Sequence, residues 1–284
     1  AELVVHKLLG LFKTPFTPGG APHHCHASIG ITLFDGVALG EGRDDPDGRL
    51  RADVLLGQAD MAMYEVKKTG RNGWRFFDRH LQEHLDHRVA LHQDLQQGVA
   101  RHEFELHYQP QVDLAGRTVG VEALLRWRHP TRGMVPPGEF IPEAENTGLI
   151  IDIGRLVLRD ACALLARWRD QPGRAHLTVA VNVSVKQFHH PEFVADVMAA
   201  LAVTGAPAHR LELELTESAF ADDPDLVRQT MQALRDRGLR FSLDDFGTGY
   251  SSLAYLKRLP LDRLKIDQSF VRDLLVDPND ASIV

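Results

Sequence analysis

The sequence predicts an α/β protein whose larger part is a β/α barrel two strands short of a closed set of eight. Three observations carry that expectation. Strand-like and helix-like segments alternate from residue 104 onward, the pattern of a parallel sheet covered by helices. Six strands can be counted there, against the eight of a closed barrel. Polar residues gather at the C-terminal ends of five of those strands, where barrels of this kind assemble their chemistry.

Each element has its own signal. Residues 3–12 place apolar side chains at helical spacing, and 14–20 carry Pro and Gly punctuation. Residues 26–34 alternate as a strand does, 52–68 are helical with Gly70 as the C-cap, and 74–77 form a short strand. Sheets of two strands rarely stand alone, so residues 1–78 are expected to be part of an α+β domain. Residues 79–102 read as a polar connecting helix, semi-rigid rather than a flexible tether.

The third segment, 103–284, starts with strands at 104–114 and 118–127 joined at Ala115-Gly116. There follow a helix at 149–169, a strand at 177–183, a helix at 191–204 and a strand at 211–215. A helix at 225–237 and a strand at 239–244 precede a short helix at 252–259, a strand at 263–266 and a helical tail from Ser269.

Composition narrows the function. The chain has 284 residues, is 44% hydrophobic and 25% charged, and carries a formal charge of −7. That balance is ordinary for a globular protein and gives no footprint for sequence-independent binding of DNA or RNA. The apolar runs fall short of a membrane span, and the N-terminus lacks a signal-peptide pattern. Two cysteines, Cys25 and Cys162, make no disulfide framework, so a cytoplasmic protein is expected.

Strand parity then picks out residues. In Leu211-Glu212-Leu213-Glu214-Leu215 the leucines share one face and the glutamates the other. If the leucines pack on helices, the glutamates point into the barrel or its mouth, where a bare carboxylate is expensive unless paired, protonated or metal-bound. Asn182 ends another strand, Glu122 and Arg126 share a face of a third, and Lys265 and Asp267 share a face of the last. Asp244-Asp245-Phe246-Gly247-Thr248-Gly249 sets two carboxylates beside two glycines. Any one acid would ordinarily be a helix cap or a surface charge, and Lys265 a surface partner of Asp267. Agreement among five strands argues otherwise. Glu122, Asn182, Glu214, Asp244 and Asp245 offer oxygen only, which suits Mg²⁺ or Mn²⁺ and argues against zinc or iron. Adjacent aspartates suit a pair of cations about 3.5–4 Å apart, the arrangement used for phosphoester hydrolysis. Lys265 would orient the attacking water or stabilise charge in the transition state.

The stretch Val121-Glu122-Ala123-Leu124-Leu125-Arg126-Trp127 resembles the signature of EAL domains, the bacterial phosphodiesterases that cleave cyclic diguanylate. Tyr108-Gln109-Pro110, Phe140-Ile141-Pro142, Asn182-Val183-Ser184, Glu214-Leu215-Thr216-Glu217, the Asp244–Gly249 loop and Lys265-Ile266-Asp267 continue the match, in order, over about residues 90–284. The resemblance implies a barrel, two divalent cations, hydrolysis to linear pGpG, and a homodimer. It assigns Glu122, Asn182, Glu214 and Asp244 to one cation, Asp244 and Asp245 to the second, and Lys265 to the catalytic water. Gln109, Arg126 and Asp267 would contact substrate. Glu217, Gly247 and Gly249 would belong to a loop that couples dimerisation to the site.

Residues 1–78 resemble the last part of a GGDEF domain, the diguanylate cyclase fold, through Ala27-Ser28-Ile29-Gly30-Ile31, Ala59-Asp60-Met61-Ala62-Met63-Tyr64 and Gly70-Arg71-Asn72. Lys67 and Arg71, one helical turn apart, resemble that family's phosphate contacts. The cyclase signature is absent from the chain, so cyclase activity is not expected. Two barrel strands of the EAL pattern, with a further glutamate and a glutamine, are also absent. The chain is therefore expected to be a piece of a longer GGDEF–EAL protein, and by itself a weak or inactive catalyst. The competing function is a catalytically silent receptor or dimerisation module for the same dinucleotide. His23-His24-Cys25-His26 has no zinc-site spacing and is set aside.

Overall fold

The computed structural model describes residues 1–33, 49–68, 70–220, 223–247 and 257–273. The chain divides into two compact units, Ala1–Ala90 and Leu91–Val284.

The first unit contains α1 (Glu2–Leu11), β1 (Ser28–Ile31), α2 (Arg49–Lys68) and β2 (Gly73–Phe76). β1 and β2 pair in parallel, which requires a crossover, and α2 supplies it. Gly30 allows the helix to lie against the strand: a Cβ there would fall 1.8 Å from the Ala59 carbonyl oxygen. Ala62 and Val66 are buried. The backbone turns out of α2 at Gly70 (φ +113°) and Arg71 (φ +60°), and the Arg71 amide donates to the Val66 carbonyl at 2.9 Å. The helical-turn relation expected between Lys67 and Arg71 is thus corrected: Arg71 lies beyond the helix end, and Lys67 remains on α2.

α3 (Arg79–Ala100) contributes its last turns to the second unit, where Leu91 and Leu95 are buried. The elements that follow are β3 (Phe104–Val112), β4 (Thr118–His129), β5 (Gly133–Val135), α4 (Pro137–Thr147), α5 (Ile150–Trp168), β6 (Thr178–Asn182), α6 (Val185–Phe188) and α7 (Phe193–Thr204). Then come β7 (Leu211–Thr216), α8 (Pro224–Arg235), β8 (Arg240–Phe246), β9 (Arg263–Ile266) and α9 (Gln268–Asp273). The sheet order is β3-β4-β6-β7-β8-β9, with β5 on β4; β3 is antiparallel to β4, and β4, β6, β7, β8 and β9 run parallel in succession.

Local chemistry sets the boundaries. Asp223 accepts from the Leu226 amide and Pro224 opens α8, which buries Val227, Met231 and Leu234. α5 carries Asp152 in its first turn and Arg167 in its last, both favourable to the helix dipole, and buries Ile153, Leu158, Cys162 and Leu165. On β7, Leu211, Leu213 and Leu215 are wholly buried in the outer core, as are Phe241 and Leu243 on β8. The strand and hairpin at β4–β5 run to His129 and beyond, and β5 and α4 occupy a stretch where no element was expected. Their signals are Pro137 at the first helical turn and Gly148 at the C-cap with φ +84°. The expected helix at 252–259 falls almost wholly outside the described residues, as do Gly249 and the tail beyond 273.

Candidate active site

Four parallel strands bring four charged side chains together. Glu122 (β4), Glu214 (β7), Asp244 (β8) and Lys265 (β9) all face the side opposite the outer apolar core. The Lys265 ammonium lies 2.9 Å from Glu214 Oε2, 2.9 Å from Asp244 Oδ2 and 3.3 Å from Glu122 Oε2. Asn182, ending β6, donates from Nδ2 to Glu122 Oε1 at 2.8 Å. Lys265 is therefore no surface partner of Asp267; its hydrogen bonds are to the three carboxylates.

The electrostatics are unbalanced. One ammonium faces three carboxylates, and the Glu214 side chain is fully shielded from solvent. Burial, reinforced by the charges of Glu122 and Asp244, pushes Glu214 up to about 7 although Lys265 opposes the shift. Burial draws the Lys265 ammonium down, but its bonds to Glu214 and Asp244 outweigh this and the net shift is upward. Glu214 Oε1 is buried without a hydrogen-bond partner among the described residues. Ligand atoms of Glu122, Glu214 and Asp244 all lie within 4.8 Å of one another. An orphaned carboxylate oxygen, an all-oxygen donor set and a deficit of positive charge together fit a hard divalent cation.

Asp245 is not a member of that triad. Successive residues of a strand point to opposite faces, and at Asp245 the backbone takes φ +53° as the strand ends. Burial, followed by the charges of Asp244 and Asp267, raises its carboxyl above the usual aspartate range. Asp267 caps the start of α9 by accepting from the Ser269 amide and hydroxyl, and these bonds hold its carboxyl low. Glu217 Oε1 accepts from the Gly247 amide at 2.9 Å, tying the segment after β7 to the end of β8.

A cleft of about 720 Å³ opens beside the cluster, reaching from Glu214 and Asn182 to Arg126 and an apolar wall that includes Ile141, Ile153 and Val157. The Arg126 guanidinium donates to its neighbour's carbonyl at 2.8 Å. Gln109 is exposed on β3, opposite Glu122. Beside α5, the wall takes in Pro137, Ile141 and Glu145 of α4, which strand counting passed over, and Lys186 on α6, which donates to the Glu145 carbonyl at 2.6 Å. His23, His24, Cys25 and His26 belong to no metal-holding group among the described residues.

Fold and site together define a mixed α/β unit of barrel-like design with a carboxylate triad over its strand ends that could hold a cation. The chain belongs to the EAL domain family, whose model matches residues 92–284. It is similar to MucR of Pseudomonas aeruginosa, described as a bifunctional diguanylate cyclase/cyclic di-GMP phosphodiesterase: 42% identical over 286 residues, covering all of this chain and 40% of MucR. It is similar also to NbdA of that organism, described as a cyclic di-GMP phosphodiesterase, at 38% over 284 residues, covering all of this chain and 35% of NbdA. The chain thus spans well under half the length of these relatives. Among solved structures, the MucR phosphodiesterase in complex with c-di-GMP shares 46% identity at a TM-score of 0.65, covering 68% of this chain and 78% of that one. The EAL enzyme Bd1971 in its cGMP-bound form shares 30% identity at a TM-score of 0.66, covering 85% of this chain and 62% of that one.

Proposed function

We propose that this chain supplies the phosphodiesterase unit of a signalling protein that hydrolyses cyclic diguanylate to linear pGpG. The observation that carries the reading is the triad of Glu122, Glu214 and Asp244 gripping Lys265 at one end of a cleft that holds Arg126. The names of MucR and NbdA, and the c-di-GMP complex of MucR, support the same substrate.

In this reading Glu122, Asn182, Glu214 and Asp244 would hold one Mg²⁺ or Mn²⁺, and Asp244 with Asp245 would hold a second. Bound there, the cations would neutralise phosphoryl charge and make water a stronger acid. Water forms a new P–O bond, the bond from phosphorus to the ribose 3′-oxygen breaks, and the proton leaves with the 3′-hydroxyl. Lys265 orients the water and meets charge on the phosphoryl group, while Arg126 pairs with a phosphate and Gln109 and Asp267 complete the substrate contacts. Glu217, whose carboxylate accepts from the Gly247 amide, and Gly247, with Gly249 outside the described residues, would couple the site to a homodimer.

We assign residues 1–78 to the end of a GGDEF domain, with Lys67 and Arg71 as remnants of its phosphate contacts, residues 79–102 to the connecting helix and 103–284 to the EAL domain. A cytoplasmic location follows from the substrate, and no helix among the described residues is long and apolar enough to cross a membrane.

The test is to follow pGpG by chromatography when the full-length protein meets cyclic diguanylate in Mg²⁺, Mn²⁺ or Ca²⁺. Linear product with Mg²⁺ or Mn²⁺ and inhibition by Ca²⁺, whose irregular coordination misplaces the water, are expected. Equal turnover in Ca²⁺ would count against two cations, and binding without product would identify a receptor.

A further inference from the structure

Beneath the carboxylate triad lies a second charged layer to which no role has been given. Glu212 and Arg263 precede Glu214 and Lys265 by two residues on the same strands, so they occupy the same face one step, about 6–7 Å, further down. Arg263 Nη1 lies 3.1 Å from Glu212 Oε1 and 3.4 Å from Gln111 Oε1 on β3. Glu212 has 2% of its side chain exposed, and among the described residues Arg263 is the only cation within ion-pair distance of it. In both layers a cation of β9 reaches across β8 to a carboxylate of β7. On the intervening strand, Ser242 sits opposite both Glu214 and Arg263, with its hydroxyl buried and unpartnered among the described residues. β9 is short and pairs with a register shift near its end, so the backbone ladder fixes its height only loosely.

We propose that Arg263 is a positioning residue: its pairing with Glu212 and Gln111 sets the height of β9 so that Lys265 meets Glu214 and Asp244. A buried carboxylate with one cation partner is a strong locator, because sliding β9 by one residue would turn Arg263 to the opposite face and leave Glu212 unpaired. The same constraint then applies two residues later to Lys265.

Three variants of the full-length protein separate positioning from mere stability. Arg263→Met should lower kcat about tenfold or more while KM stays within about threefold, and Arg263→Lys should recover most of the loss. Glu212→Gln with Arg263→Met removes both charges, so it should regain the metal-free melting temperature while kcat stays low. Recovery of kcat along with the melting temperature, or a change confined to KM, would overturn the proposal and leave the pair a structural one. The kinetic arms rest on the phosphodiesterase reading. If the wild type yields no pGpG, that reading fails separately, and Mn²⁺ affinity decides: the charge-neutral double variant should bind about tenfold more weakly, and unchanged affinity would overturn the inference.

Discussion

Lys265→Met removes the ammonium from three carboxylates and leaves them facing one another. The Lys265 side chain is 25% exposed and Glu214 not at all, so the 2.9 Å pair between them is largely shielded from solvent. Removing one partner of a buried pair costs about 3–5 kcal/mol, and the partial exposure of Lys265 places this case near about 3 kcal/mol. For a domain of this size that is roughly 6–12 °C of melting temperature. The sign of the pH dependence follows from Glu214. Its carboxyl sits at about 7 in the folded protein against an ordinary 4.5, and Lys265 is what holds it down, so the substitution raises it further. A raised carboxyl costs stability wherever the unfolded chain ionises it, so in wild type the cost grows from 4.5 upward and is full above about 7. Because the variant's carboxyl lies higher still, its extra penalty is full only above that higher value and is gone as pH falls below about 7. Melting followed by near-ultraviolet circular dichroism in chelator should show the variant well below wild type at pH 8 and close to it near pH 5. Mn²⁺ should restore the pH 8 value, because a ligand bound only by the folded state stabilises it, by about 2.7 kcal/mol at a hundred times its dissociation constant. A variant that melts within about 2 °C of wild type at pH 8 would show that Lys265 does not grip the triad.

Two further substitutions probe the edges of the site. Glu122→Ala deletes a carboxylate and the partner of Asn182 but no apolar contact, so pGpG formation should fall below detection while metal-free melting moves by less than about 3 °C. A larger fall would mark Glu122 as a structural carboxylate. Gly247→Ala places a Cβ 2.6 Å from the Phe270 ring at φ +103°, strain worth about 1–3 kcal/mol, and should lower turnover at least tenfold by displacing the end of β8. Turnover within twofold of wild type would show that the contact does not hold the Asp244–Asp245 turn.

The residues on strands were the most legible in the sequence, for a physical reason. A period of two allows no intermediate orientation, so Leu211, Leu213 and Leu215 in the outer core put Glu212 and Glu214 on the other side. The same logic located Glu122, Asn182 and Asp244. It could not show that Lys265 contacts Glu214 rather than Asp267, because parity gives the face but not the stagger between neighbouring strands. It also placed Asp244 and Asp245 as an adjacent pair, whereas the positive φ of Asp245 is a backbone property with no composition signal short of the neighbouring Gly247. The cleft wall was missed where α4 begins with two prolines, which resemble loop punctuation until Pro137 is recognised as a first-turn residue.

The site can be this costly because the fold keeps its stabilising contacts elsewhere. On β7 and β8 the residues facing the helices, Leu213, Leu215, Phe241 and Leu243, are wholly buried in a continuous apolar core. The alternate residues facing inward are Glu212, Glu214, Ser242 and Asp244, polar without exception. Every inward acid carries a desolvation cost that the outer face must offset, and each can be changed without opening a cavity in that core. An inward-face variant such as Glu122→Ala should therefore lose chemistry before it loses its fold. An outward-face variant such as Leu213→Ala, which would cost roughly 2–5 kcal/mol, should do the reverse. Lys265 and Arg263 lie between these cases: each is a charge on the inward face whose removal strands a buried carboxylate, so their loss is felt in stability and in the site together.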